Sequence, residues 1–278
     1  MENKVTLTGH RGWRSKYPEN TMRGFRETLK LDVDAIEMDV HMTADYRIVV
    51  CHDANLERTT DKSGAIYRMT LEEIRQADAG IKYGEEFKGE KIPTMEEFLE
   101  LMAANPSVRL LLELKDYPEE IGDFAYASAG ETLRLCKEYG IWGRERLTVI
   151  TFSTGICAFL RHKYEKSDFY IHGFYPKSRM RGWEQDDPYK YYDEVCLFNV
   201  GEKDPQGFPI KRDSVVADVA RFKEFALMGI KPCAFYAFNV DEEVYRQAVE
   251  NGCQGFTCDD PETCGKILDK LGVRKLKK

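Results

Sequence analysis

The sequence predicts a (β/α)8 TIM barrel carrying a small helical insertion near residues 54–107, and three observations predict it. Short runs rich in Val, Ile, Leu and Phe alternate with helix-patterned segments along the 278 residues. Runs of that composition suit strands covered on both faces, and repeated strand–helix order at this length points to a closed parallel sheet. Charge-capable residues also gather where the strand runs end, as they do at a barrel mouth.

The elements follow in order. "KVTLTGH" is the first strand, and "NTMRGFRETLKL" is a helix that Asn20 or Thr21 can cap. "DAIEMDV" and "RIVVCHD" come next with only "HMTADY" between them, too short for a helical crossover. A local hairpin or a kinked strand therefore sits there. Residues 54–107 hold the turn-rich "TTDKSG" and two short helices, where Thr70 and Thr94 each precede an acidic residue at a capping offset. This insertion lacks the apolar content for a core of its own, so 1–278 reads as a single domain. Further strands are "RLLLELK", "RLTVITF", "DFYIHGF", "KPCAFYAFN" and "GCQGFTCDD". Helical patterns cover 71–78, 94–104, 122–139, 154–165, 214–228, 241–250 and 261–271. Residues 173–212 read as an extended loop, beyond the roughly 15 residues usual for a connection, and its aromatic content argues for order.

Composition narrows the function. A net charge of −7 excludes general binding to nucleic acid, and the basic tail Arg274-Lys275-Leu276-Lys277-Lys278 reads as a solvated end. "MENKVTLTGH" has no apolar signal core, and no stretch approaches the ~18 apolar residues of a transmembrane segment. The eight cysteines form no CxxC pair, and Cys253, Cys258 and Cys264 lack zinc-finger spacing. Buried reduced thiols and a cytoplasmic protein are expected.

Chemistry enters with "AIEMDV", where Glu37 and Asp39 share one strand face and Ile36, Met38 and Val40 the other. "LLLELK" repeats the pattern with Glu113 and Lys115. In an antiparallel sheet this would be a solvated face; in a barrel the three carboxylates converge inside. Buried carboxylates need a partner, and all-oxygen ligands favour one hard divalent cation, Mg²⁺ or Ca²⁺. Three carboxylates, a dication and Lys115 sum to about zero, leaving room for a phosphodiester beside Arg11. His10 and His52 end two strands with these carboxylates between them, so one ring can take a proton while the other gives one. His41, His162 and His172 have no comparable neighbours and are expected to be structural or exposed.

The set "HRG…PENT…IEMDV…CHD…LELK", five motifs in order, resembles the glycerophosphodiester phosphodiesterase family within the phospholipase C-like phosphodiesterase barrels. Matching segments run from near residue 7 to near 265, including the insertion and the closing "GFTCDDPE". The resemblance implies metal-dependent hydrolysis of a small-molecule glycerophosphodiester, such as a deacylated phospholipid, to sn-glycerol 3-phosphate and an alcohol. It implies Glu37, Asp39 and Glu113 as metal ligands and His10 and His52 as the acid–base pair. Arg11 and Lys115 resemble the family's phosphate-binding residues, Glu19 lies at the site edge, and Asn20 caps the first helix. Where the family usually has Trp-Thr-Val-Asn, this chain has Tyr236-Ala237-Phe238-Asn239, and Gln254 and Cys258 stand where Asp and Thr are common. The 173–212 segment, with Phe174, Tyr175, Trp183, Tyr189 and Tyr191, either covers the alcohol side of the substrate or forms an oligomer contact. Alternatives are a related barrel phosphodiesterase acting on a lysophospholipid or sugar phosphodiester, and a non-catalytic barrel binding a phosphoryl ligand.

Overall fold

A computed structural model describes residues 5–197, 219–235 and 241–274. Its strands are β1 (Thr6–Gly9), β2 (Ala35–Met42), β3 (Ile48–Val50), β4 (Arg109–Leu114), β5 (Leu147–Thr151), β6 (Tyr170–Tyr175), β7 (Glu194–Leu197), β8 (Lys231–Phe235) and β9 (Gly255–Cys258). All except β3 pair in parallel, and β1 joins both β9 and β2, which closes an eight-stranded barrel. The helices are α1 (Met22–Thr28), α2 (Leu71–Ile74), α3 (Met95–Ala103), α4 (Pro118–Ile121), α5 (Phe124–Glu138), α6 (Thr154–Lys163), α7 (Val219–Leu227), α8 (Glu242–Glu250) and α9 (Pro261–Lys270). The expected helix over 122–139 is α5, and Gly122, whose φ of 60° few other residues adopt, ends the short α4 just before it.

Between the second and third runs the chain makes a hairpin. Strand β3 runs antiparallel to β2, with Val40, His41 and Met42 opposite Val50, Val49 and Ile48. "RIVVCHD" is thus an appendage outside the barrel. The missing barrel strand, β7, lies inside the segment expected to be an extended loop over 173–212, whose first three residues belong to β6. Residues 198–212 of that segment lie outside the described residues.

The connection from β6 to β7 has two 3-10 turns, Lys177–Arg179 and Pro188–Tyr191, where the other described crossovers carry helices. Its aromatic residues cover the barrel in a helix's place. Tyr192 lies so close to the strand that a Cβ on Gly173 would stand 1.8 Å from the tyrosine Cζ. Tyr189 packs edge-on against Phe225 of α7 at 5.3 Å.

Apolar residues on the outer strand faces meet the helices in the main core, for example Phe25 of α1 against Phe98 of α3 at 4.6 Å. Thr94 caps α3 and Thr70 caps α2, each reciprocated by a glutamate three residues on. Because Phe98, Leu99 and Met102 belong to the barrel core, α3 serves as a barrel helix. The residues before it form a small separate cluster in which Leu56, Ile66, Ile74 and Ile92 lean on Val49 and Cys51 of the hairpin. All eight cysteines are buried free thiols, and burial pushes Cys51, Cys157 and Cys233 up to about 12.

At the barrel floor, Glu194 accepts from Arg109 at 3.2 Å and Lys231 at 3.1 Å, the first residues of their strands, and lies 3.3 Å from His172 Nδ1. Burial raises the Glu194 carboxyl, but Lys231 and Arg109 outweigh it and hold the group well below the usual range. A carboxyl lowered on folding stabilises the fold above its unfolded pKa of about 4.3 and loses that contribution as pH falls further. Glu194→Gln is expected to lower stability by about 3 kcal/mol at pH 7, the low end for breaking a buried pair. The difference from the parent should shrink below about pH 4, and urea unfolding at both pH values measures it.

Candidate active site

The chain leaves β1 through a tight turn in which Arg11 takes a left-handed backbone (φ 53°) and Gly12 follows at φ 84°. Positive φ is uncommon for arginine and marks a position held by its surroundings. Here the turn aims the Arg11 N–H at Glu37 Oε2, 2.8 Å away, and brings its Nε to 3.3 Å from Asp39 Oδ2. The preceding residue, His10, is fixed through Nδ1 to Asp259 Oδ1 at 2.6 Å, leaving Nε2 3.9 Å from Glu37 Oε2.

Strand register assembles the acidic trio. Asp39 of β2 stands beside Glu113 of β4, and Glu37 lies two residues back on the same face. A ligand oxygen from each of the three lies within 4.8 Å of the others. Lys115 donates to Glu113 Oε1 at 2.5 Å and approaches Asp39 Oδ1 at 3.3 Å. Asn20, expected to cap the first helix, instead donates to Asp39 Oδ2 at 2.8 Å, and Thr21 is the cap. Burial raises all three carboxyls. For Asp39, Lys115 and Arg11 overcome it and hold the group low. Glu37 stays raised by burial, with the Asp39 and Glu113 carboxylates adding to it, and Glu113 stays raised because burial outweighs the opposing Lys115 ammonium.

Two buried oxygens of this trio, Glu37 Oε1 and Asp39 Oδ1, have no hydrogen-bond donor. Buried carboxyl oxygens that accept no hydrogen bond, in an all-oxygen set drawn within 4.8 Å, fit a hard divalent cation. A second cluster among the described residues, His172, Glu194 and Cys233, is equally compact. There, Arg109 and Lys231 already neutralise the carboxylate.

His52 sits in the turn after β3, half-buried, with Nδ1 2.5 Å from Asp53 Oδ1. Burial lowers the pKa of both His10 and His52. Arg58, from the insertion, donates to Asp53 Oδ2 at 2.6 Å and to both Glu19 oxygens at 2.7 and 3.0 Å. Glu19 also accepts from Arg11 at 2.9 Å and Arg14 at 3.0 Å. It therefore gathers three guanidinium groups at the mouth. Asp259 escapes sequence reasoning because its partner His10 is 249 residues away, and Arg14 and Arg58 because they pair with Glu19 and Asp53 across irregular turns with no helical or strand period to signal it. His41, expected to be structural or exposed, is buried and continues the inward-facing set of residues 37 and 39.

The arrangement puts two carboxylate-oriented imidazoles, the cations Arg11 and Lys115 and a candidate metal cradle around one barrel mouth. The sequence profile of the glycerophosphoryl diester phosphodiesterase family matches residues 10–263. The chain belongs to this family. Over 151 residues it is 38% identical to a glycerophosphodiester phosphodiesterase of Caldanaerobacter subterraneus subsp. tengcongensis, covering 54% of this chain and 59% of that protein. A glycerophosphodiester phosphodiesterase of Bacillus altitudinis is 42% identical over 40% of this chain and 45% of its own length. The aligned stretches thus span only about half the length of these relatives. A phosphodiesterase of Oleispira antarctica, solved in complex with the product sn-glycerol-3-phosphate, shares the fold with a TM-score of 0.75 at 23% identity. That match covers 96% of this chain and 97% of the other. Among the described residues, no helix is long and apolar enough to cross a membrane.

Proposed function

We propose that this chain hydrolyses glycerophosphodiesters to sn-glycerol 3-phosphate and an alcohol, with His10 and His52 as acid–base pair. The observation that carries the reading is that both imidazoles are held at Nδ1 by a carboxylate, at 2.6 and 2.5 Å, around the trio Glu37, Asp39 and Glu113. A ring pinned at one nitrogen presents the other for proton transfer. One imidazole takes the proton of the neighbouring glycerol hydroxyl as it attacks phosphorus, and the other protonates the leaving alkoxide; water then attacks the resulting cyclic phosphodiester with the two roles exchanged, opening the ring to sn-glycerol 3-phosphate. Arg11 and Lys115 hold the phosphoryl oxygens. Glu37, Asp39 and Glu113 would hold a divalent cation, which supplies Lewis-acid stabilisation of charge on those oxygens. Glu19 holds the arginines of the mouth in place. Assay of the purified protein on a panel of glycerophosphodiesters, with EDTA and then Mg²⁺ or Ca²⁺ added back, tests the reading. Release of sn-glycerol 3-phosphate from none of them would end it.

Choice among alcohols belongs to the mouth beside Lys115. The Arg181 guanidinium stacks on the Tyr117 ring at 4.0 Å and donates to Glu120 at 2.6 Å. Phe174 stacks on Phe152 at 3.7 Å, and the Lys115 ammonium lies 5.6 Å from Phe152. Tyr189 packs against α7, and the Tyr191 hydroxyl bonds Asp186, so these two serve the barrel's outer cover. The altered "YAFN" motif lies outside the described residues. Arg181→Ala and Tyr117→Ala are expected to change the ranking of kcat/KM among glycerophosphodiesters while leaving a small generic phosphodiester within about threefold. The Tyr191→Phe variant should keep the parent's ranking.

A further inference from the structure

We infer that His41 is a positioning residue for the proposed reaction: it fixes the main chain of His52 and affects chemistry only through that residue. The inference rests on the catalytic reading given above. His41 follows Glu37 and Asp39 on the inward face of β2 and is 3% exposed. Its Nε2 lies 3.2 Å from the His52 carbonyl oxygen. A carbonyl can only accept, so Nε2 is the donor. On the other side of the ring, Nδ1 lies 2.7 Å from Asp116 Oδ1, and Asp116 Oδ2 accepts the Met42 N–H at 2.8 Å. The imidazole is thereby anchored to β2 and to the residue after Lys115, with its remaining nitrogen aimed at the turn that carries His52.

Both ring nitrogens are engaged, which leaves no lone pair for a metal and no hydrogen for a substrate. Any influence on the reaction must pass through the groups His41 touches. Among these the His52 carbonyl has the most leverage. It belongs to the peptide that links His52 to Asp53, and Asp53 orients the His52 ring. Two peptides earlier the chain is already tied, because the Cys51 N–H of the 50–51 peptide donates to the Asp39 carbonyl at 3.0 Å. Loss of the His41 bond would free the 52–53 peptide to rotate and carry ring and carboxylate out of line together. A misplacement of about 1 Å in a reacting group can lower a rate by 10².

The test is a pair of variants in two backgrounds. Asparagine places its amide near the position of Nδ1 and glutamine near that of Nε2, so His41→Asn loses the bond to His52 while His41→Gln can keep it. His41→Asn is expected to lower kcat at least about tenfold with KM within about twofold, and His41→Gln to recover most of the loss. In the His52→Ala background, His41→Asn should change kcat by less than about twofold, since its target is gone. An equal loss in both backgrounds, or an unchanged kcat for His41→Asn, would overturn the inference. Should His41→Asn fail to fold, Asp116→Asn loosens the same ring while keeping its bulk; a kcat loss that vanishes in the His52→Ala background supports the inference, and any other result overturns it. Near-normal kcat for His52→Ala alone would remove the catalytic reading and this inference with it. An impaired His52→Ala with a persistent His41 loss would remove only the positioning role.

Discussion

Glu37→Gln is expected to make the cation-free protein more heat-stable while abolishing the stabilisation that a divalent cation confers. Without a cation, three buried carboxyl groups crowd one another, and burial with the neighbouring carboxylates pushes Glu37 up. Glutamine keeps an oxygen for the Arg11 N–H and removes a buried charge, so the crowding falls. The same change deprives the cradle of an anionic ligand. In the parent protein, Mg²⁺ or Ca²⁺ at a hundredfold excess over its Kd should stabilise the fold by about 2.7 kcal/mol. Thermal scans in EDTA, followed by cation titration, measure both effects. Equal cation-induced shifts in parent and variant would contradict the assignment. Activity should fall about 10²–10³-fold in EDTA, as expected when several kcal/mol of charge stabilisation are withdrawn, and return on add-back.

His10→Ala and His52→Ala should each lower kcat by at least ~10², the usual contribution of a positioned acid or base. The double variant should lose less than the product of the two, because the rings act on one proton balance. His10 is enclosed and held by a partner on β9's exit, whereas His52 is 29% exposed in its side chain and held by its sequence neighbour. Circular dichroism and urea unfolding separate a lost catalyst from a lost fold. A near-normal kcat for either single variant removes that residue from the mechanism.

Much of this was legible in the sequence where a short-range rule applies. Alternation alone puts Glu37 with Asp39 and Glu113 with Lys115, and strand register then brings the pairs together. Capping chemistry placed α2 and α3 through Thr70 and Thr94. Strand β7 was hidden because "EVCL" is four residues long and follows a polar, aromatic stretch that resembles a loop. "RIVVCHD" has barrel-strand composition, and only the short link before it signalled a hairpin. Asn20 and Thr21 are both good caps by type; a buried Asp39 lacking donors drew Asn20 away. The links of Arg58 to Glu19 and of Asp259 to His10 span 39 and 249 residues, distances at which no local pattern operates.

The contact between Gly173 and Tyr192 also constrains how this barrel can change over evolutionary time. A methyl group at 173 would meet the tyrosine ring at 1.8 Å, so no larger residue can appear there first. Shortening Tyr192 first would open a cavity costing about 3–5 kcal/mol, comparable to much of a domain's stability. Each single step is disfavoured, and only a double change crosses between the two packings. A lineage that acquired a tyrosine cover over this stave would thus tend to retain it, leaving descendants to vary the neighbouring rim around Arg181 while the wall beneath stays fixed.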